Sequence, residues 1–146
     1  MDRQDVDRPT IDRQNIVPPE MQALVERAGY LPGVRVGHLL FCAGQVGRDA
    51  DLAVIADPEA QFEACWHNLA RVLAAAGCGF EDVIDMTSYH IDMARHLPLF
   101  RQVKDRVFPR GTCAWTCLGV SELAVPGLLV EIKVTALIPE AARAGL

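Results

Sequence analysis

The chain has 146 residues, 51% of them hydrophobic and 23% charged, and this balance is typical of one compact domain with a sizeable core. Its formal net charge of −5 argues against general affinity for nucleic acid or anionic membranes, because such partners require clustered Lys and Arg, and the basic residues here are scattered. No run approaches the roughly 20 apolar residues that span a bilayer, and the polar N-terminus is unlike a signal or transit peptide, so we expect a cytoplasmic protein.

The first predicted elements are an N-terminal arm and two strands. Residues 1–20 have little apolar content, so they predict an arm or a short edge strand ahead of a single domain over residues 21–146. Residues 34–46 predict two strands around a turn at Gly37 and His38. The second of these strands is apolar enough to be covered on both faces.

Two amphipathic helices follow. Asp57 and Pro58 supply an N-cap and a first-turn proline, and apolar residues then recur at steps of three and four until Gly77 ends the helix. After a strand over residues 83–91, a second helix is predicted to end at Phe108, which precedes a proline. The buried face of this second helix is predicted to comprise Leu97, Phe100, Val103 and Val107.

Strands over residues 112–121 and 128–138, separated by a turn, complete an α+β fold of order β-β-α-β-α-β-β. Two helices can cover only one face of the sheet. In the last strand the apolar residues alternate with Glu131, Lys133 and Thr135, which share the other face. We expect this mixed face to meet another subunit or a pocket, so the sequence predicts an oligomer.

Residues that often carry metal or nucleophilic chemistry lack the required spacing. The five cysteines form no C-x-x-C pair and are expected to be reduced and mostly buried. Neither serine lies in a G-x-S-x-G elbow, and the chain has no metal-ligand spacing or phosphate-binding loop, so we expect no metal and no cofactor. His67 and His90 are expected to be packed or solvated rather than catalytic.

Glu131 is a carboxylate among apolar neighbours in a strand that is predicted to be interior. A buried acid needs a partner or a raised pKa, and both are common at functional sites. Two interpretations therefore stay open for Glu131. It is either a functional acid or one half of an ion pair with Lys133 or Arg101.

Several segments of the chain share their order and spacing with a known family. They are Tyr30 with Gly33 and Val34, residues 37–47 (GHLLFCAGQVG), Asn68 and Leu69, residues 74–78 (AAAGC), residues 82–84, residues 86–90 (MTSYH), Trp115 with Thr116, and residues 130–134 (VEIKV). Together they resemble the reactive-intermediate deaminase (RidA/YjgF) superfamily, and its YjgH-like branch in particular, over residues 30–139.

This resemblance implies a chorismate-mutase-like fold and a homotrimer whose sheets form a central barrel with three clefts between subunits. Family members that deaminate use no cofactor. A glutamate and backbone groups position the water that hydrolyses an enamine or imine, and an arginine binds the substrate carboxylate. In this chain the glutamate corresponds to Glu131, the pocket tyrosine to Tyr30 and the backbone-contact glycine to Gly44.

The arginine is missing, because its position before Thr116 and Cys117 holds Trp115. An indole offers one N–H and a large apolar face instead of a guanidinium fork. We therefore expect the substrate preference to move away from small 2-imino acids, toward an aromatic or otherwise uncharged ligand. Arg110 and Arg35 are the candidates for supplying the missing charge.

The resemblance thus implies a cofactor-independent hydrolase or tautomerase that acts on an enamine, imine or related small molecule. Glu131 is the predicted acid/base group. The predicted substrate-binding residues are Trp115, Tyr30, Gly44, Thr116 and Cys117. The alternative is a non-catalytic trimer that binds a metabolite or a protein in the same clefts. A ribonuclease or translation inhibitor is disfavoured by the acidic charge and the lack of a basic, aromatic-rich stripe.

Overall fold

A computed structural model describes residues 11–144, and their strands form one sheet. The elements in chain order are β1 (Arg13–Ile16), α1 (Gln22–Ala28), β2 (Gly33–Val36), β3 (Leu39–Cys42), β4 (Gln45–Val46), α2 (Pro58–Ala75), β5 (Val83–His90), α3 (Met93–Val107), β6 (Ala114–Gly119), β7 (Val130–Leu137) and α4 (Glu140–Arg143). The predicted order β-β-α-β-α-β-β is confirmed by β2, β3, α2, β5, α3, β6 and β7. The short elements β1, β4, α1 and α4 are additional, and the class is α+β as predicted.

The sheet has the strand order β1-β2-β3-β7-β5-β6, and β4 also pairs with β7. All pairs are antiparallel except β5 with β6, which α3 connects as a crossover helix. The predicted edge strand in the N-terminal arm is β1, while residues 1–10 of the arm lie outside the described part of the chain. This order places β7 near the middle of the sheet and β6 at an edge.

Helices α2 and α3 pack on one face of the sheet and enclose the core with it. The N-cap predicted at Asp57 is present, since its side chain accepts a 2.9 Å hydrogen bond from the backbone N of Ala60. In α3 the predicted buried face holds for Phe100 and Val103, but Val107 is 40% exposed and Phe108 is buried in its place. The side chains that β7 contributes to the core are Val130, Ile132, Val134 and Ala136.

The opposite face of the sheet is open in the single chain. It exposes between 36% and 44% of each of four apolar side chains, which are Phe41, Ile84, Leu118 and Leu137. The prediction that β3 is covered on both faces is therefore wrong for one chain, because only Leu40 and Cys42 lie beneath the helices. None of the helices within residues 11–144 is both long and apolar enough to cross a membrane.

Candidate functional site

A cavity of about 440 Å³ lies beside the junction of β4 and β7. It is lined by three of the predicted site residues, Tyr30, Gly44 and Glu131, which are far apart in the sequence. Arg48 and Lys133 line the same cavity. The fold thus brings one carboxylate, one phenol and two cationic side chains to a single concave surface.

Glu131 is positioned by the middle strand of the sheet. It pairs with Val46 of β4 and with Tyr89 of β5, and its side chain leaves the face opposite to the buried Val130 and Ile132. The side chain is half-buried. Gly44 lies directly against it, because a Cβ atom at position 44 would be 2.6 Å from the carboxyl carbon of Glu131. A larger residue at position 44 would therefore displace the carboxylate, and glycine permits the close approach of backbone and carboxylate.

The ion-pair interpretation of Glu131 is wrong within the described residues. Lys133 donates its Nζ to the carbonyl oxygen of Cys42 at 3.1 Å, and Arg101 lies on α3 beside a different cavity. Among residues 11–144 no cationic nitrogen is within 4.0 Å of the Glu131 carboxylate. The carboxylate oxygens consequently face the cavity with no cation of the described chain paired to them.

Tyr30 is 41% exposed and lines this cavity close enough to Arg48 and Glu131 to be affected by both charges. Burial raises the pKa of its phenol, the positive charge of Arg48 opposes that rise, and the negative charge of Glu131 adds to it. The hydroxyl group is therefore protonated at neutral pH. It can donate one hydrogen bond to a ligand in the cavity.

Trp115 does not line this cavity. Its indole Nε1 donates a 2.9 Å hydrogen bond to Ser88 Oγ on the helix-covered face of the sheet, and Lys104 Nζ lies 5.2 Å from the centre of its ring. Trp115 instead borders a second cavity of about 360 Å³, together with Arg101 and Arg110. The single N–H donor of the indole is therefore already bonded inside the chain.

Thr116 and Cys117 are also separate from Glu131 in the single chain. Neighbouring residues of a strand alternate between its faces, so Cys117 is half-buried on the face of Trp115 while Thr116 is exposed on the opposite face. Both belong to β6, which is an edge strand. The predicted binding residues therefore form two groups, one beside Glu131 and one along this edge.

The two arginines proposed to replace the family arginine do not reach Glu131. Arg35 is buried and donates its Nε to the carbonyl oxygen of Gly37 at 2.8 Å. Arg110 is bonded to Asp105 at 2.7 Å and borders the cavity of Trp115. The arginine that does line the cavity of Glu131 is Arg48, which sequence analysis missed because it belongs to a polar loop.

The cysteines behave largely as predicted. Cys42, Cys65 and Cys78 are buried, and burial raises the pKa of all three thiols, to about 12 for Cys42 and about 11 for Cys78. These groups are protonated thiols at neutral pH and are poor nucleophiles. Within residues 11–144 no three His, Cys, Asp or Glu side chains are grouped so that they could hold a metal ion.

A buried chain of hydrogen bonds joins Trp115 to His90. Ser88 Oγ accepts from the indole N–H, which leaves its own hydroxyl proton for Nε2 of neutral His90 at 2.8 Å. Both Ser88 and His90 are fully buried, and Nδ1 of His90 has no partner among the described residues. Burial lowers the pKa of His90, so the folded chain favours the neutral imidazole.

This lowered pKa predicts a loss of stability in mild acid. Unfolded His90 binds a proton near its ordinary pKa of about 6.5, whereas the folded residue does so only at lower pH, so the free energy of unfolding falls as pH drops below about 6.5. Urea unfolding at about pH 7.5 and about pH 5 should show a smaller acid loss for His90→Gln than for the unmodified protein. His67→Gln, which changes an exposed histidine of α2, is the control. This variant should lose as much stability in acid as the unmodified protein. Equal acid losses in all three proteins would contradict the prediction.

The chain is similar in sequence to proteins of a known family. The family profile described as "Endoribonuclease L-PSP" matches residues 20–138. The RutC family protein YjgH of Escherichia coli is 38% identical over 131 residues, which are 89% of this chain and 98% of YjgH. The RutC family protein slr0709 of Synechocystis is 31% identical over 114 residues, covering 75% of this chain and 86% of slr0709.

Solved structures agree with this match. The structure of protein YjgH has a TM-score of 0.82 and covers 89% of this chain and 99% of its own. Rv2704 of Mycobacterium tuberculosis, a member of the YjgF/YER057c/UK114 family, has a TM-score of 0.72 at 26% identity and covers 86% of this chain and 99% of its own. The chain therefore belongs to the endoribonuclease L-PSP family, which is the RidA/YjgF group that its motifs resemble.

Proposed function

We propose that this protein hydrolyses or tautomerises an enamine, imine or related reactive intermediate in the cavity that contains Glu131. In the hydrolysis, Glu131 removes a proton from water while the water oxygen bonds to the imine carbon. That proton then passes to the imine nitrogen, which gives a carbinolamine. The hydroxyl group of the carbinolamine next loses its proton to the nitrogen while its C–O bond becomes a double bond and the C–N bond breaks, so the products are one carbonyl compound and ammonia. Tautomerisation needs the same carboxylate only to move a proton between carbon and nitrogen.

One observation carries this proposal. Tyr30, Gly44 and Glu131 line one cavity, and the Glu131 carboxylate faces it without an ion-pair partner among residues 11–144. A carboxylate that is half-buried and not neutralised can accept a proton from a bound water. The phenol of Tyr30 can donate to the substrate or to the leaving nitrogen.

We propose that Trp115 does not bind a substrate carboxylate as the arginine of standard 2-imino acid deaminases does. Trp115 supplies no cation, and its only donor is bonded to Ser88. The indole can therefore offer only apolar contact. We propose that strand β6 of a neighbouring subunit, which carries Trp115, Thr116 and Cys117, completes the cavity, because within one chain this edge strand lies apart from Glu131.

A homotrimer would supply that neighbour. Four half-exposed apolar side chains lie on the open face of the sheet, and their burial between subunits would remove them from water. We expect sedimentation equilibrium at micromolar concentration to give about 48 kDa, three times the chain mass of 16.0 kDa. A mass of 16.0 kDa at that concentration would contradict the trimer.

The activity is tested with imines that are generated in the assay. An amino acid oxidase supplies imines that carry a carboxylate, and an amine oxidase supplies uncharged ones. Release of the carbonyl product is compared with and without this protein. Faster release from either class supports the proposal, and release at the buffer rate from both classes, with ligand binding retained, would instead identify a non-catalytic binding protein.

A further inference from the structure

Arg48 belongs to a loop beside the cavity, and contacts with Val54 and α2 hold the backbone of this loop. Its backbone forms an isolated β-bridge with Val54, and the side-chain amide of Asn68 on α2 donates to the carbonyl oxygens of Val46 and Arg48 at 2.9 and 3.2 Å. The preceding Gly47 is packed so closely on Gln61 that a Cβ atom would overlap it. The backbone position of Arg48 is therefore set by contacts with α2.

The guanidinium group has no neutralising partner within residues 11–144. No carboxylate oxygen there is within 4.0 Å of it, and its Nε is enclosed without a hydrogen-bond acceptor. The adjacent carboxylate of Asp49 is used by its own loop, since its Oδ1 accepts from the backbone N of Asp51 and of Ala53, each at 2.9 Å. A guanidinium group that lines a cavity and is not paired to a carboxylate is available to bind an anionic ligand.

The charges that line the cavity also favour an anionic ligand. Arg48 and Lys133 are positive and Glu131 is negative, so the lining carries one excess positive charge. Lys133 already donates to a backbone carbonyl oxygen. Arg48 also borders a smaller adjoining cavity of about 120 Å³, which Glu131 does not line.

We propose that Arg48 binds an acidic group of the ligand, a carboxylate in the first instance, and so supplies the charge that position 115 lacks. This inference rests on the proposed function, because it assigns the ligand of the same cavity. It differs from the expectation of an uncharged ligand, which rested on Trp115. A guanidinium can hold a carboxylate through two parallel hydrogen bonds, and Tyr30 can donate a third.

Binding of phenylpyruvate and of its primary amide tests this inference, because the two probes have nearly the same shape and differ in charge. Isothermal titration at neutral pH should show about tenfold tighter binding of the acid to the unmodified protein. Arg48→Gln should remove that difference and leave the affinity for the amide unchanged. Arg95→Gln, which changes an exposed arginine of α3 outside this cavity, is the matched control and should bind like the unmodified protein.

Three results would overturn the inference. They are equal affinity of the unmodified protein for acid and amide, binding of neither probe, and an acid affinity that Lys133→Gln lowers as much as Arg48→Gln does. These results are distinguishable from failure of the proposed function, since the titration requires no turnover. If the protein binds the acid through Arg48 but accelerates the hydrolysis of no imine, the inference on Arg48 stands and the proposed catalytic function is wrong.

Discussion

Glu131→Gln is expected to abolish turnover and to change the free energy of unfolding by no more than about 1 kcal/mol. Glutamine has nearly the volume of glutamate and can hydrogen-bond, but it cannot accept the proton of the attacking water. The stability should change little because Glu131 is only half-buried and forms no ion pair within residues 11–144. Turnover is measured with the imine that the unmodified protein hydrolyses fastest, and stability by urea unfolding.

The matched control is Glu122→Gln, which removes one carboxylate from an exposed loop residue and should leave both measurements unchanged. If Glu131 were a structural ion-pair partner, its loss would cost roughly 3 to 5 kcal/mol. A destabilisation of that size, with dissociation of the assembly, would defeat the functional assignment even before a substrate is known. Full activity of Glu131→Gln would defeat it directly.

Sequence reasoning succeeded where the determinants are local. The N-terminus of α2 depends on Asp57, Pro58 and the backbone of Ala60, all within one helical turn, so the pattern alone is sufficient. The turn between β2 and β3 likewise depends on Gly37, whose φ of 58° favours glycine. The approach of Gly44 to Glu131 was available only through the family resemblance, because the two residues are joined by the pairing of β4 with β7.

Sequence reasoning failed where a side chain depends on distant partners. The indole of Trp115 is engaged because β6 lies beside β5 and brings Ser88 within hydrogen-bond distance, a pairing that residue 115 alone does not reveal. Arg48 was missed because its place at the cavity depends on Asn68 of α2, which holds the loop. Neither contact has a periodic signal in the sequence.

Gly44→Ala is expected to lower turnover by about 100-fold while the protein stays folded, because the new methyl group would occupy the space of the Glu131 carboxylate. The backbone of Gly44 is outside the left-handed region, so alanine is conformationally allowed and the effect arises from the overlap. The carboxylate must then rotate away from its position beside the backbone. A displacement of about 1 Å is enough for a loss of this size.

Gly119→Ala on β6 is the matched control for this substitution. A Cβ atom there would meet Met93 Cβ at 3.8 Å and the carbonyl oxygen of His90 at 3.9 Å, which are ordinary contacts, so turnover should be unchanged. Rates are measured with the same imine for both variants, and circular dichroism confirms the fold. Because Gly44→Ala leaves the carboxyl group present and moves only its position, a large loss would show that catalysis depends on where the carboxylate lies as well as on its charge. Normal turnover by Gly44→Ala would mean that the position of Glu131 beside Gly44 is not the reactive one.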